Sequence, residues 1–205
     1  YFENIRFKGK NIVLRSTDPS DPTIVAATII DGNREGSVVT FAGTESTSCV
    51  LAGFTIRNGK AGGPDPNDAG GGIDGGTQTS RTLARIEFNV ITGNSADWGG
   101  GLAFCDGLIQ YNTIEANVGG DTSGGYGGGL ADCDGTIRGN TITGNAGGYG
   151  GGLGLCDGRI EFNVIAANRG RYGGGLAWSN GTVQNNTISS NTASGIRTYK
   201  ILTTG

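Results

Sequence analysis

An all-β parallel β-helix, a solenoid of stacked coils, is the fold this sequence predicts, and three observations carry the prediction. A unit recurs along the chain, its pieces alternate like strands, and asparagine and glycine punctuate it at fixed places. The units are "ARIEFNVITGNSADWGGGLAFCDG" from Ala84, "LIQYNTIEANVGGDTSGGYGGGLADCDG" from Leu108, "TIRGNTITGNAGGYGGGLGLCDG" from Thr136, "RIEFNVIAANRGRYGGGLAWSNG" from Arg159 and "TVQNNTISSNTASG" from Thr182. Their first asparagines, Asn89, Asn112, Asn140, Asn163 and Asn186, are spaced by 23, 28, 23 and 23 residues. The second set, Asn94, Asn117, Asn145, Asn168 and Asn191, keeps the same steps. Five extra residues within "VGGDTSGG" account for the long step, and a rigid period with one tolerated insertion describes a solenoid.

The pieces "TITGN" and "RIEFN" alternate, carry β-branched residues and lack helical periodicity, so they are strands. Ile86, Ile109, Ile137, Ile160 and Val183 form one inward column, and Ile91, Ile114, Ile142, Ile165 and Ile188 a second. Glu87, Gln110, Arg138, Glu161 and Gln184 form the neighbouring outward column. Coils of this length stack at roughly 4.8 Å, so identical residues become ladders. A buried asparagine can then bond through its amide to the rungs above and below, each bond contributing on the order of 1 kcal/mol.

Residues 1–83 repeat less closely, but "NIVLRST", "ATIIDGN", "SVVTFAG" and "CVLAGFTIRNG" are strand-and-turn segments that fit two or three irregular coils. The whole is expected to be one domain over 1–205: irregular coils at 1–83, regular repeats at 84–191 and an extension at 192–205. About eight coils would stack to roughly 40 Å. Methionine is absent and neither end shows a capping helix, so the expectation is a segment of a larger protein whose open β edges invite end-to-end self-association.

Composition narrows the function classes. The 42 glycines follow no every-third-residue rule, which excludes collagen. Net charge is −3 and no lysine lies between Lys60 and Lys200, which disfavours a nucleic-acid partner. No apolar run approaches the roughly 20 residues of a membrane span, and the start lacks the pattern of a signal peptide.

Several columns could carry chemistry. Cys105, Cys133 and Cys156 share a column that continues as Ser179, either as stacked inward thiols or with one adjacent pair bridged; Cys49 stands apart. With no His and no CxxC pair, zinc is disfavoured. Asp106, Asp134 and Asp157 follow those cysteines, and their mutual repulsion requires relief by backbone N–H groups, solvent or a cation, which makes them candidate Ca²⁺ ligands as well as Asp-Gly turn residues. Trp98, Tyr126, Tyr149 and Tyr172 precede the GGG runs, while Phe104, Asp132, Leu155 and Trp178 follow them. A line of aromatics at fixed rise is a candidate glycan platform, with Trp98, Tyr126, Tyr149, Tyr172 and Trp178 as its residues, or a ladder that covers the glycines.

The "GGGL…CDG…NTIxxN" units, preceded by "ATIIDGN…SVVTF", resemble the right-handed parallel β-helix repeat proteins of the pectin-lyase-like superfamily, of the kind found in bacterial secreted and surface proteins. The resemblance implies a right-handed coil, a secreted or cell-surface location and association with polysaccharide or cell-surface glycan. It leads to the expectation of a structural spacer, adhesin or glycan-binding module. The alternative is a polysaccharide lyase or glycoside hydrolase. The family's hydrolases use Asp with His, and no His is present; a lyase-like site would need Arg138 or Arg159 near Asp134 and Asp157, beside the loops at 61–69 and 118–125. No cofactor other than Ca²⁺ is implied.

Overall fold

The computed structural model describes residues 2–62, 69–120 and 125–193. Residues 63–68 of the first loop singled out above, 121–124 of the second and 194–205 of the C-terminal extension lie outside the described residues.

Within the described residues the chain is a parallel β-solenoid. Three seven-stranded parallel sheets form its faces. The first runs from Ile5–Arg6 to Leu176–Ala177, the second from Val13–Arg15 to Thr182–Gln184 and the third from Ile29–Asp31 to Thr187–Ser189. Seven strands per face enclose about six turns rather than eight coils, about 29 Å of rise at the usual strand spacing. The early coils are longer than the repeat suggests: Ile5 pairs Val39 and Val39 pairs Ile73, each a step of 34 residues, so fewer coils fit. The "irregular" segments nonetheless join the same sheets, with Val50–Ala52 pairing Arg85–Glu87 and Thr55–Arg57 pairing Val90–Thr92.

Both aliphatic columns point inward. Ile86, Ile109, Ile137 and Ile160 are fully buried, as are Ile91, Ile114, Ile142 and Ile165, and one hydrophobic cluster runs from Phe7 to Val183. The exception is Ile188, exposed in the last rung of the third sheet.

The asparagines line the corners at either end of the third sheet's strands. Asn112 donates its Nδ2 to Asn140 Oδ1 at 3.0 Å and to the Ile86 carbonyl at 2.9 Å, while its backbone N–H donates to the same Asn140 Oδ1 at 2.9 Å. Asn117 repeats this with Asn145 and Ile91. Below the regular repeats the ladders are started by backbone alone, where Phe54 N–H donates to Asn89 Oδ1 and Gly59 N–H to Asn94 Oδ1. A corner without such a partner would leave buried N–H groups unpaired at 1–3 kcal/mol each.

The GGG runs make tight corners on the other side of the coil. A Cβ on Gly128 would run into the carbonyls of Ala146 and Gly151, one rung away, so only glycine lets these backbones stack. One short helix, Pro22–Ala27, interrupts the first coil; Asp21 caps it by accepting from the Thr23 N–H, with proline in its first turn. One antiparallel hairpin, Gly76–Thr77 with Ser80–Arg81, interrupts the third coil.

Candidate functional site

Repetition gives each corner of the coil its own column of left-handed residues, and the columns differ in what they carry. The corner after the third sheet holds Asn58, Ala116, Ala167 and Ser190 with Gly93 and Gly144; glycine and asparagine take positive φ readily, alanine and serine at a cost. The corner after the first sheet holds Phe104, Asp132, Leu155 and Trp178. Between the second and third sheets stand Phe88, Tyr111, Gly139, Phe162 and Asn185, with φ between 54° and 62°. Bulky aromatics in this conformation are uncommon and cost more than glycine would.

The expected glycan residues do share one stack. Trp98 lies 4.7 Å from Tyr126, Tyr126 5.0 Å from Tyr149 and Tyr149 4.9 Å from Tyr172, centroid to centroid. Trp178 meets Tyr149 edge-on at 5.7 Å. Rings piled along the axis at this spacing cover one another's faces, so Tyr126 and Tyr149 turn edges rather than faces to solvent. Beneath Trp98 the outer face of the first sheet is small and buried, with Ala69, Ala103 and Phe104 packed against the indole.

The Asp column is relieved in two ways. Each carboxylate accepts the backbone N–H of the next rung, Asp106 from Asp134 at 2.8 Å and Asp134 from Asp157 at 2.7 Å, and Asp157 in turn from Asn180. In addition Arg81, which repetition could not have pointed to, reaches from the hairpin to Asp106 (3.6 Å), Asp132 (2.8 Å) and Asp134, and lies over the Phe104 ring. Burial opposes the charge on Arg81, but Asp132, Asp106 and Asp134 outweigh it and hold its pKa above the ordinary arginine value. Burial also lifts Asp132 above the usual carboxylate range, with Asp134 and Asp106 adding to that and Arg81 opposing it. Among the described residues no group of three or more His, Cys, Asp or Glu side chains is arranged to hold a metal ion. One further carboxyl stands out nearby: burial raises Asp74 to about 6, against a single hydrogen bond from the Gly76 N–H.

Arg138 belongs to the outward column of the second sheet. Its Nε and Nη2 donate to Gln110 Oε1 at 3.0 and 2.8 Å, and Gln110 donates to Glu87 at 2.7 Å. Higher up, Glu161 accepts from Arg159 at 2.7 Å and from Gln184 at 3.0 Å. The column is thus a ladder of side-chain pairs, and the contacts of Arg138 run along it rather than to Asp134 or Asp157. All four cysteines are free and buried; Cys105, Cys133 and Cys156 each point Sγ at the carbonyl two residues back, and Ser179 Oγ does the same. Burial pushes the thiols of Cys133 and Cys156 well above the ordinary range, which makes them inert packing groups.

Sequence reasoning therefore aligned the columns and missed two features: the Arg81 cluster and the Phe88–Tyr111–Phe162 corner. The second was legible as the residue before each ladder asparagine, in "EFN", "QYN", "RGN", "EFN" and "QNN". The chain matches no protein-family model, no curated protein and no solved structure.

Proposed function

We propose that this chain is a structural module of a secreted or cell-surface protein, a stiff spacer whose flanks serve adhesion or glycan binding, and that its coil is the right-handed one of the pectin-lyase-like superfamily. The observation that carries this reading is the self-sufficiency of the columns. Each Asn and Asp rung is satisfied by its own counterpart one coil away, and the Tyr rings by each other. Catalytic sites bring unlike groups together, whereas ladders of like groups resist deformation along the axis.

One observation favours the enzymatic alternative, a polysaccharide lyase or glycoside hydrolase: Arg81 and its three aspartates are unlike groups that converge. Arg81 is held protonated there and is unsuited to act as a base, so any catalysis would fall to Asp132 as an acid. Incubation with acidic and neutral polysaccharides, with and without Ca²⁺, separates the readings. The spacer reading expects neither unsaturated products nor new reducing ends. Product formation that is abolished by Asp132→Asn or Arg138→Ala would replace it with the enzyme.

A further inference from the structure

After its second asparagine each repeat leaves the third sheet, and the segments that follow stack on one another. Three of them form a short sheet of their own, Ala146–Tyr149, Arg169–Tyr172 and Thr192–Ala193. Strand pairing puts Ser95, Val118, Ala146, Arg169 and Thr192 in one column. Two residues on, Asp97, Gly120, Gly148 and Arg171 make a second, ordered by backbone bonds from Gly120 to Asp97 and from Gly148 to Gly120. One repeat therefore carries two positive charges where its neighbours below carry small or apolar residues. Both arginines are exposed, with the buried Gly170 between them, and alternate residues of a strand share a face about 6.6 Å apart. A depression of about 400 Å³ opens beside them, walled by Val118, Ala146 and Gly147.

No described carboxylate neutralises this pair. Arg85, Arg138 and Arg159 each meet a carboxylate or an amide oxygen on the second sheet, whereas neither Arg169 nor Arg171 forms an ion pair among the described residues. Asp97 stands three rungs down, about 14 Å away along the axis, beyond the roughly 8 Å screening length of physiological salt. Glu115 lies two rungs down and around the Asn117 corner. Arg171 is also held in place, its guanidinium carbon 5.4 Å from the centroid of Tyr172, the last ring of the Trp98–Tyr172 stack.

We infer that Arg169 and Arg171 form a binding site for a sulfate ester group of a polysaccharide, which rests on the glycan-binding part of the proposed function and names its ligand class. A planar carboxylate is filled by one guanidinium fork, whereas a tetrahedral oxyanion offers oxygens to two forks that approach from different sides. The depression beside the pair gives the sugar that carries the group a place against the coil. Two charges on a chain of net charge −3, with Asp97 below them, suit a single ester group. The continuous phosphate line of a nucleic acid or an anionic membrane surface calls for a longer basic stripe.

The test titrates the 205-residue chain by calorimetry at low salt with three hexasaccharides: sulfated chondroitin, its desulfated form, which keeps the carboxylates, and neutral cellohexaose. The sulfated hexasaccharide is expected to bind, and the desulfated one to bind more weakly on the order of tenfold. Arg169→Gln and Arg171→Gln should each weaken the sulfate-dependent binding on the order of tenfold. Arg171→Lys, which keeps the charge and loses the fork, should recover only part of it. Arg6→Gln, an exposed arginine of the first coil, should leave it unchanged. Because both arginines are exposed, the variants should melt with the parent chain, which shows that they fold. Equal binding of the sulfated and desulfated hexasaccharides would overturn the assignment, as would a double Arg169→Gln, Arg171→Gln variant that binds like the parent. Tighter binding to duplex DNA or to phosphatidylglycerol vesicles would overturn it in favour of a phosphate surface. Binding of the desulfated or neutral hexasaccharide that survives both variants would reject this site and keep a glycan-binding flank, whereas no binding of any hexasaccharide would remove that flank as well.

Discussion

The first two coils and the last four are parts of one solenoid held by different chemistry. In the first, individual groups do the work: Asp31, 4% exposed, accepts from Arg57 Nε, from Asn58 Nδ2 and from the Asn33 N–H, and Glu45 accepts from the Gly9 and Ala42 N–H groups. In the last, neutral amides repeat the same bonds rung after rung. Bespoke contacts admit long loops and a helix; ladders admit little but length. The Asn ladders do not titrate whereas the Asp31 and Glu45 carboxylates do, so the two regions differ in pH response apart from the Asp106–Asp134–Asp157 corner of the last coils.

The sharpest way to break the regular half is Asn140→Leu. It strands the Asn112 N–H and Nδ2 that Asn140 Oδ1 accepts and frees the Ile109 and Asn163 acceptors, and should cost about 4 kcal/mol in denaturant unfolding. By contrast Asn4→Ala, which removes bonds only to the Glu35 and Ser37 carbonyls near the surface, should cost about 1 kcal/mol.

Asp31→Ala should cost about 2–3 kcal/mol at pH 7. Burial raises the Asp31 pKa, but the Asn33, Arg57 and Asn58 bonds prevail and hold it below the ordinary value. Its contribution is therefore present above the unfolded pKa of about 4 and lost as pH falls through the lower folded value. Amide exchange, corrected for intrinsic rates, should show the first coils opening before the last when pH drops below about 4. Simultaneous opening would mean that the two regions are one cooperative unit.

Asp74→Asn tests the opposite sign. With its folded pKa near 6, above the unfolded value, the buried charge costs stability above pH 6 and nothing below about pH 4. The substitution should therefore stabilise by on the order of 2 kcal/mol at pH 7 and have no effect at pH 4, as measured by melting temperature. An effect as small as that of Asn4→Ala is expected for Arg81→Gln, about 1 kcal/mol of destabilisation at pH 7. Three carboxylates then lose their shared cation, and the loss should fade as acid protonates them.

The sequence made the fold legible wherever a residue had copies. Ile137 or Asn140 could be placed inward because four others stood at the same step. Arg81 had no copy: it sits in the one antiparallel hairpin among the described residues, and its partners lie up to 53 residues away, joined only by stacking. The helix at Pro22–Ala27 was written in a local Asp-Pro capping signal, but a search for period passes over such signals. The Phe88–Phe162 corner went unread because sorting residues as inward or outward leaves no category for a corner, where backbone conformation and not burial sets the column apart.

The Asn ladders have a consequence for how such a chain changes length. Each rung hands its neighbour the same bonds that it receives, so an entire coil is a removable part. Excising residues 136–158 would join Gly135 to Arg159 and set Asn163 above Asn112 and Asn168 above Asn117, the places now held by Asn140 and Asn145. The shortened protein would keep every corner closed, while a deletion one residue longer or shorter would turn core isoleucines toward water. The same excision takes out Gly139 and seats Phe162 directly on Tyr111. Gain or loss of one coil is thereby an edit of both the reach of the molecule and the pattern of rings along its edge.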